Sequence, residues 1–279
     1  MARARLAALS TAFALLLSSQ GPAVAGDPIT ERFSKHTAGA AATVDHSPWN
    51  KLVAAYVKPS PDGVNRVDYA AFKKDGHVQL KDYLRTLQAQ DPATLDRSEQ
   101  FAFWANLYNA KTIDVVLDKY PVKSIKDVSL GGGLKSLVSG GPWQAKIMKV
   151  GGVDLSLDDI ENLIMRPTYK DPRVHYSVNC ASFGCPNLPN AAFTGATLEA
   201  MLEAGARDYV NNPRGISIEG GKAKASSIYS WFQADFGGSD KAVLDHMRKY
   251  ATPDLKAKLD QLTSIASYDY DWSLNAVTR

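Results

Sequence analysis

Two cysteines and a histidine lie close together in one short segment, residues 173–188. Cys180 and Cys185 are the only cysteines of the chain, and His175 precedes Cys180 by five positions. A thiol becomes a nucleophile when a nearby base or cation favours its thiolate, and histidine is a common partner. The segment therefore predicts a thiol-centred site, with Cys180 as nucleophile and His175 as base.

Glu161 is the residue that we expect to orient this base. Leu157, Ile160 and Ile164 recur at helical spacing and form an apolar stripe, and Glu161 falls on the same stripe. A carboxylate that faces the core can hold an imidazole in place, as in other sites built from a nucleophile, a base and an acid. We therefore assign Glu161 to the predicted site beside His175.

The local pattern argues against the simplest version of this site. Residues 173–179 alternate apolar and polar side chains, which predicts a β-strand. In a regular strand His175 and Cys180 would lie about 17 Å apart and face opposite sides. The two groups meet only if the chain bends or the loop folds back, and then either cysteine is a candidate nucleophile.

Two other interpretations of the cysteines remain open. In the first, Cys180 and Cys185 form a disulfide that pins the loop, and Glu161 forms a buried ion pair with His175 or Arg173. A loop this short removes little entropy from the unfolded chain, so such a bond would mainly shape the loop. In the second, the pair cycles between thiol and disulfide, although four residues separate the cysteines instead of the two of thioredoxin-like sites.

A long buried helix is predicted to begin at the cap Asp96 and to end before Tyr120-Pro121. Its first half is apolar and aromatic nearly all round, and it carries Asn106 and Asn109. A buried amide either binds neighbouring loop backbone or lines a pocket. The candidate pocket residues are Asn179, Cys185, Asn106, Trp104 and Tyr108. If the protein is instead a non-enzymatic binding domain, we expect Trp231 and the glycine-rich segment 129–142 to line the pocket as well.

The first 25 residues have the pattern of a secretory signal. Arg3 and Arg5 precede an apolar run over residues 6–17, and Ala23-Val24-Ala25 fits the cleavage rule. We therefore expect an exported protein, periplasmic if the source is a Gram-negative bacterium and otherwise secreted. No later apolar run approaches the length of a transmembrane helix.

The rest of the chain predicts a single α+β domain. Residues 26–45 show no clean periodicity and predict a mobile lead-in, and the domain occupies residues 46–279. Helical patterns dominate the first part, and hairpins are predicted around Gly151-Gly152 and Gly220-Gly221. A strand over residues 265–272 closes the chain. We expect helices packed on a small, mostly antiparallel sheet with hairpins.

The net charge and the motifs of the chain limit the kinds of partner that we expect. The signal contains two arginines and no acidic residue, so its removal lowers the formal charge from +3 to about +1. No basic run with interleaved aromatics is present, so we expect a small molecule or peptide as partner and no nucleic acid. The glycine-rich segment lacks a phosphate-loop motif, and four histidines show no ligand spacing: His36, His46, His77 and His246. We therefore predict no cofactor and no metal.

The chain resembles the family called "domain of unknown function 547" in three segments, 103–110, 175–188 and 229–236. The resemblance extends roughly from Trp49 to Asn275. The family includes exported bacterial proteins and intracellular proteins of plants and animals. Disulfides are rare in reducing compartments, so a purely structural disulfide does not readily explain a motif that intracellular members share. The resemblance therefore favours a thiol role. The family pattern usually places a histidine after the glutamate at position 161, whereas this chain has Asn162, so a cysteine–histidine mechanism here depends on His175.

The leading hypothesis is a cysteine-dependent hydrolase or acyl transferase. Cys180 is its nucleophile, His175 its base and Glu161 its orienting acid, with Asn179 or Asn106 as a polar pocket group. The alternatives are a non-enzymatic binding domain with a structural Cys180–Cys185 disulfide, and a thiol–disulfide redox protein.

Overall fold

The computed structural model of the chain describes residues 26–130 and 141–277. The predicted export signal, and residues 131–140 of the glycine-rich segment, lie outside these ranges. Within them, no helix combines the length and the apolar character needed to cross a membrane.

Helices provide most of the regular structure. They are α1 (Pro28–Phe33), α2 (Ser47–Tyr56), α3 (Tyr69–Ala71), α4 (His77–Gln88), α5 (Arg97–Lys119), α6 (Arg166–Tyr169), α7 (Val174–Ser177), α8 (Leu198–Val210), α9 (Ile228–Trp231), α10 (Asp240–Tyr250) and α11 (Pro253–Leu259). Two π-helical segments, Phe72–Gly76 and Asp159–Met165, lead directly into α4 and α6. Short 3₁₀ turns cover Pro92–Thr94, Ile125–Asp127 and Gln233–Phe236.

The strands are short and form small sheets. They are β1 (Val57–Lys58), β2 (Arg66–Val67), β3 (Met148–Val150), β4 (Val153–Leu155), β5 (Ile216–Glu219), β6 (Lys222–Ser226) and β7 (Ser267–Asp269). The pairs β1–β2, β3–β4 and β5–β6 are antiparallel, and β7 joins β6 in parallel. Both predicted hairpins are present, and the predicted α+β class is confirmed. The closing strand is shorter than predicted.

Helix α5 is the centre of the fold. Asp96 caps it by accepting hydrogen bonds from the backbone N–H groups of Ser98 and Glu99, as the sequence predicts. Most of its side chains are buried, because other elements pack on every side of it. Its buried side-chain amides therefore need partners within the protein: Asn106 finds them at the backbone of Phe193, and Asn109 in the segment that leads into Cys180.

The apolar residues form two clusters. The larger surrounds α5, and the smaller lies between α8, β5, β6 and α10. Helix α7 belongs to both, since Val174 packs in the larger cluster and Tyr176 in the smaller. The segment with the candidate chemistry thus lies where the two clusters meet.

The predicted lead-in contains one regular element, the short helix α1. Asp27 caps α1 by accepting from the N–H of Ile29, and Phe33 packs edge-on against Trp104. The Thr30 hydroxyl also donates to the Leu163 carbonyl across the fold. Helix α1 has too few turns to give a clear helical period in the sequence.

The strand predicted over residues 173–179 is wrong, because residues 174–177 form the helical turn α7. Asp171 starts the turn: its carboxylate accepts the N–H of Arg173 and its carbonyl accepts the N–H of Val174. All four residues of α7 are buried, so the alternation of polar and apolar types did not reflect a solvent face. The separation of about 17 Å expected for a strand therefore does not apply.

The C-terminal segment runs beside the cysteine loop. Gly184 donates its N–H to Asp271, Phe183 to Ser273, and Asn275 donates to Ala181. A Cβ on Gly184 would lie 2.9 Å from the Asp271 backbone nitrogen, so only glycine fits this approach. The contact brings the Tyr270 side chain to Cys180.

Candidate functional site

A cavity of about 180 Å³ lies at the junction of the two clusters and contains both cysteines in its wall. It is open to solvent on one side, and its wall combines aromatic rings, acids and thiols. The lining residues are Tyr108, Trp143, Asp158, Glu161, Asn162, His175, Val178, Cys180, Cys185, Ile228, Trp231, Phe232, Tyr270 and Trp272. A pocket with apolar walls and a few converging polar groups is the usual form of a small-molecule site.

Cys180 is partly exposed, and its sulfur is surrounded by hydrogen-bonding groups. The hydroxyls of Ser182 and Tyr270 each lie 3.0 Å from Sγ. Burial alone would raise the pKa of this thiol, but hydrogen bonds from Cys185, Ser182 and Tyr270 outweigh burial and lower it. Cys180 is therefore the cysteine that favours the thiolate.

Cys185 has the opposite character. It is buried, and burial together with the adjoining Cys180 raises its pKa well above the ordinary value. Its sulfur accepts the backbone N–H of Cys180 and lies 2.6 Å from the Cys180 sulfur. A disulfide bond is about 2.05 Å long, and both cysteines are free in this structure. The disulfide stays a prediction.

The backbone turns sharply after Cys180. Ala181 has φ of 62°, in the left-handed region that alanine rarely occupies at a cost of about 1–2 kcal/mol. The conformation is held because Ala181 donates its N–H to the Asn179 side chain, which itself donates to the Pro186 carbonyl. A strained residue beside a reactive group is common at functional sites, where the surrounding structure fixes it.

His175 lies between two carboxylates. Its Nε2 is 2.8 Å from Asp235 Oδ2 in a hydrogen bond, and its Nδ1 is 3.3 Å from Glu161 Oε1 in an ion-pair contact without hydrogen-bond geometry. The ring of Phe232 stacks on the imidazole at 4.1 Å. Burial acts to lower the pKa of His175, but the two carboxylates outweigh burial and raise it. The imidazolium is therefore favoured, which does not suit a general base for the thiol.

Asp235 is fixed in turn by Arg166. The guanidinium contacts both carboxylate oxygens, with Nε 2.5 Å from Oδ2 and Nη2 3.1 Å from Oδ1. Burial of Asp235 raises its pKa, yet the hydrogen bonds from His175 and Arg166 hold that pKa well below its usual range. The fork geometry is the strong form of this ion pair. Asp235 was missed by the sequence reasoning, although it lies within the segment 229–236 that resembles the family.

Glu161 connects the histidine to the central helix. Its Oε2 accepts a hydrogen bond of 3.4 Å from the Tyr108 hydroxyl, while Oε1 faces His175. It makes no pair with Arg173, whose partners are Asp171 and Glu199. Glu161 thus lies beside the histidine and in the cavity wall, where a proton carrier would be needed.

The histidine and the thiols share the cavity but do not form a hydrogen-bonded dyad. Among the described residues, the hydrogen-bond partners of Cys180 are Ser182, Cys185 and Tyr270, and neither sulfur bonds to His175. Tyr270 and Ser182 were not singled out from the sequence. The signal for Tyr270 is the alternating aromatic run Tyr268, Tyr270 and Trp272, which lies within the strand predicted over residues 265–272.

The other predicted pocket residues fall into two groups. Tyr108, Cys185 and Trp231 line the cavity. Asn106, Asn179 and Trp104 are buried in the surrounding structure and are not part of the cavity lining in the described ranges.

The two asparagines of α5 bind loop backbone. Asn106 exchanges two hydrogen bonds with the backbone of Phe193. Asn109 donates to the Ser177 carbonyl and accepts the N–H of Asn179. Asn109 therefore holds the segment that leads into Cys180, which makes it a support of the site instead of a pocket group.

Four aromatic side chains form one wall of the cavity, and we call them the aromatic wall: Trp143, Trp231, Tyr270 and Trp272. Neighbouring ring centroids lie 4.6 to 5.6 Å apart. Trp231 is half exposed, at 50%, and is one of the two large apolar side chains exposed in the described ranges. An exposed tryptophan at the edge of a cavity is a typical contact for a ligand.

A group outside the cavity has the geometry of a cation site. His77, Asp114 and Asp118 offer ligand atoms within 4.8 Å of one another. Lysines already neutralise these acids: Lys81 lies 2.9 Å from Asp114 and 3.0 Å from Asp118, and Lys111 lies 2.8 Å from Asp114. The group is therefore a charge network between α4 and α5.

Comparison with known proteins bears on one part of this structure. No curated protein and no solved structure matches the chain. The family match covers the helix motif and the cysteine motif, with Glu161, His175 and Cys180, whereas Asp235 and Tyr270 lie beyond it. Residues 92–210 match the model of the family described as "Protein of unknown function, DUF547", which confirms the resemblance that the sequence motifs predict.

Proposed function

We propose that this protein is an exported, cysteine-dependent acyl-transfer enzyme, a hydrolase or an acyltransferase, with Cys180 as its nucleophile. One observation carries the proposal: a thiol with a lowered pKa shares an aromatic cavity with a histidine held by two carboxylates. Perturbed titratable groups that converge in a cavity are typical of catalytic sites. The secretory pattern of residues 1–25 supports export.

The nucleophile needs no direct base. The hydroxyls of Ser182 and Tyr270 stabilise a thiolate at Sγ, so Cys180 can attack without transferring its proton to His175 in the same step. The proposed mechanism therefore does not need a hydrogen bond between Cys180 and His175. The role of His175 then changes from base to a charged partner of Glu161.

The proton is carried by the Glu161–His175 pair. The Cys180 thiolate attacks the carbonyl carbon of an ester or amide and forms a carbon–sulfur bond. As the bond to the leaving group breaks, the leaving group takes a proton from the pair. A water then attacks the thioester, returns one proton to the pair, and releases the carboxylate and the thiolate, with a second proton going to solvent.

Asp235 and Arg166 position this pair. Asp235 fixes the far side of the imidazole, and Arg166 holds Asp235 through two contacts. Such a chain keeps the ring oriented and favours its charged form. In this proposal His175 and Glu161 touch the reacting groups, whereas Asp235 and Arg166 act through His175.

Acylation by 4-nitrophenyl acetate tests the proposal. The mature protein is mixed with the ester, release of nitrophenolate is followed, and intact mass spectrometry detects an attached acetyl group. We expect a single acetyl adduct on the wild-type protein and on Cys185→Ala, and none on Cys180→Ala. Cys185→Ala is the matched control because it removes the neighbouring thiol and leaves the nucleophile in place. Equal acylation and turnover by Cys180→Ala would exclude Cys180 as the nucleophile, and a wild-type protein that is neither acylated nor active would leave the binding-domain alternative.

A thiol–disulfide redox function is the second candidate, and the short distance between the sulfurs favours it. The Cys180 thiolate would attack a disulfide of a partner, form a mixed disulfide and release the partner's thiolate. Cys185 would then lose its proton and attack the Cys180 sulfur, which leaves an internal disulfide and a reduced partner. The lowered pKa of Cys180 suits an attacking cysteine, and the raised pKa of Cys185 suits a resolving cysteine.

Redox equilibration separates the two candidates. The protein is incubated in glutathione buffers of graded potential, and the remaining thiols are counted by alkylation and mass spectrometry. A redox protein should change between two thiols and none within the range of about −120 to −270 mV that thiol–disulfide oxidoreductases occupy. A pair that stays reduced or oxidised throughout this range excludes the redox function.

A further inference from the structure

The charges of the cavity are predominantly acidic. Asp158 and Glu161 line it, and His175 is its basic group. No lysine or arginine is part of the lining within the residues that the structure describes. Among the lining residues that the structure describes, an anionic ligand would therefore meet two acids and no free cation.

His175 does not supply the missing positive charge. It is shared between Glu161 and Asp235, and Asp235 has Arg166 as a second partner. These four groups balance one another when the imidazole is protonated. Asp158 is then the acid of the cavity that remains to be neutralised.

Asp158 has an incomplete environment. Its carboxylate accepts a hydrogen bond of 2.7 Å from Asn162, and within residues 26–130 and 141–277 it forms no ion pair. The nearby Lys146 pairs with the adjacent Asp159 instead. Burial, and then the charge of Glu161, raise the pKa of Asp158 despite the hydrogen bond from Asn162. A cation beside Asp158 would relieve this cost.

The aromatic wall is suited to the same charge. The face of an aromatic ring is negative and attracts ammonium and guanidinium groups, tryptophan most strongly. The Lys126 ammonium already lies 5.1 Å from the Trp272 centroid, and the Arg166 guanidinium lies 4.7 Å from that of Phe232. The half-exposed Trp231 offers a further ring at the edge of the cavity.

We propose that the cavity selects acyl substrates with a cationic group, an ammonium or a guanidinium, close to the carbonyl that Cys180 attacks, and that Asp158 is the counter-ion of that group. This inference rests on the proposed function, because it names the substrate class of the same site. It adds a specificity residue that the acyl-transfer step itself does not require. Amides and esters of small basic compounds, and peptides with a basic side chain, belong to this class.

Thiol reagents of different charge test the inference without a known substrate. Methanethiosulfonates transfer an –S–R group to a thiolate, form a mixed disulfide and release methanesulfinate. The reagents are those whose R group carries trimethylammonium, sulfonate or a neutral methyl. All are used on Cys185→Ala, because Cys185 would otherwise attack the mixed disulfide. Rate constants from intact mass spectrometry are divided by those for free 2-mercaptoethanol, which removes the intrinsic reactivity of each reagent.

We expect the normalised rate for the cationic reagent to exceed that for the anionic reagent about tenfold, the effect of a neighbouring charge in a partly buried site. Asp158→Asn should reduce this ratio severalfold, and any change that the variant causes in the Cys180 thiolate itself cancels in the ratio because both reagents react with that thiolate. Asp154→Asn, an exposed acid on β4, is the matched control and should leave the ratio unchanged. Equal normalised rates, or a ratio that Asp158→Asn does not alter, would overturn the inference while the proposed function stands. A Cys180 that fails to react even with the neutral reagent would remove the proposed function, and the inference with it.

Discussion

At the scale of single residues, the groups around each cysteine distinguish the two thiols. Both thiols are desolvated, which opposes ionisation of each. Cys180 also has two hydroxyls within 3.0 Å, and these can donate to a thiolate. The Cys185 thiol and the two hydroxyls together favour the thiolate at Cys180.

Tyr270→Phe should raise the pKa of Cys180. It removes one hydroxyl that stabilises the thiolate, and a hydrogen bond to a charged group contributes about 1.5–3 kcal/mol, so the pKa should rise by about one pH unit or more. The measurement is the pH dependence of iodoacetamide alkylation, followed by mass spectrometry on the Cys185→Ala background.

Tyr268→Phe is the control for this prediction. Its hydroxyl donates to Asp240, so the variant loses a tyrosine hydroxyl from the same segment without touching the thiols. An alkylation midpoint that is the same in Tyr270→Phe and in the parent would show that the hydroxyl does not stabilise the thiolate.

At the scale of elements, the sequence predicts those parts whose signal is local. The cap at Asp96 and the Gly-Gly hairpins follow from backbone chemistry within a few residues, and the structure contains them. The sequence pattern did not predict helix α7, because all its side chains are buried. An alternation of polar and apolar residues indicates secondary structure only where one face of the element is exposed to solvent. Asp235 and Tyr270 reach the site through the packing of distant segments, which no local pattern reveals.

Asn109 links α5 to the cysteine loop, and its removal should affect both stability and reactivity. Asn109→Ala leaves the Ser177 carbonyl and the Asn179 N–H buried without partners, which should lower the free energy of unfolding by about 2–4 kcal/mol. The loop loses a constraint one residue before Cys180, so the rate of Cys180 alkylation should change as well. Urea unfolding and iodoacetamide kinetics measure the two effects.

Asn106→Ala is the matched comparison. It breaks an equivalent pair of hydrogen bonds, but to Phe193 instead of the cysteine loop. We expect a similar loss of stability with unchanged alkylation of Cys180. If both variants change the alkylation rate equally, the link from Asn109 to the loop is not specific.

The contact between α7 and α10 makes stability depend on pH. His246 is buried and its Nε2 lies 2.9 Å from the Tyr176 hydroxyl; burial lowers the pKa of His246 to about 4. Between pH 6.5 and 4 the unfolded chain binds a proton here that the folded chain does not, so stability falls as pH falls, by about 3 kcal/mol across that window. His175 acts in the opposite sense, since its raised pKa removes stability as pH rises above 6.5.

His246→Gln should therefore flatten the pH dependence of stability between pH 4 and 6.5. Glutamine keeps a hydrogen-bond acceptor for Tyr176 but does not titrate. Urea unfolding at graded pH measures the slope, and His36→Gln, an exposed histidine, is the control. A slope that is equal in His246→Gln and in the wild-type protein would contradict this account of the contact.

At the scale of the whole molecule, the site depends on both apolar clusters. Glu161 and the cysteines come from the family-matched segment, whereas Asp235, Tyr270 and Trp272 come from the later part of the chain. Hydrogen bonds also cross between the parts, because Tyr209 of α8 donates to the Gly184 carbonyl and Asn275 donates to Ala181. The clusters share α7, so neither can be lost without exposing part of the other.

We therefore expect the two clusters to unfold together. Pulse-labelling hydrogen exchange in graded urea, read by mass spectrometry, reports α5 in the larger cluster and α10 in the smaller within one experiment. A shared transition predicts the same midpoint for both helices, because breaking the smaller cluster removes Tyr176 from its packing and releases α7 from the larger cluster. Asn109→Ala should lower both midpoints equally, although Asn109 lies on α5 and not on α10. An α10 midpoint that stays in place while that of α5 falls would show two independent units, and the cavity would then lie on a hinge instead of within one cooperative core.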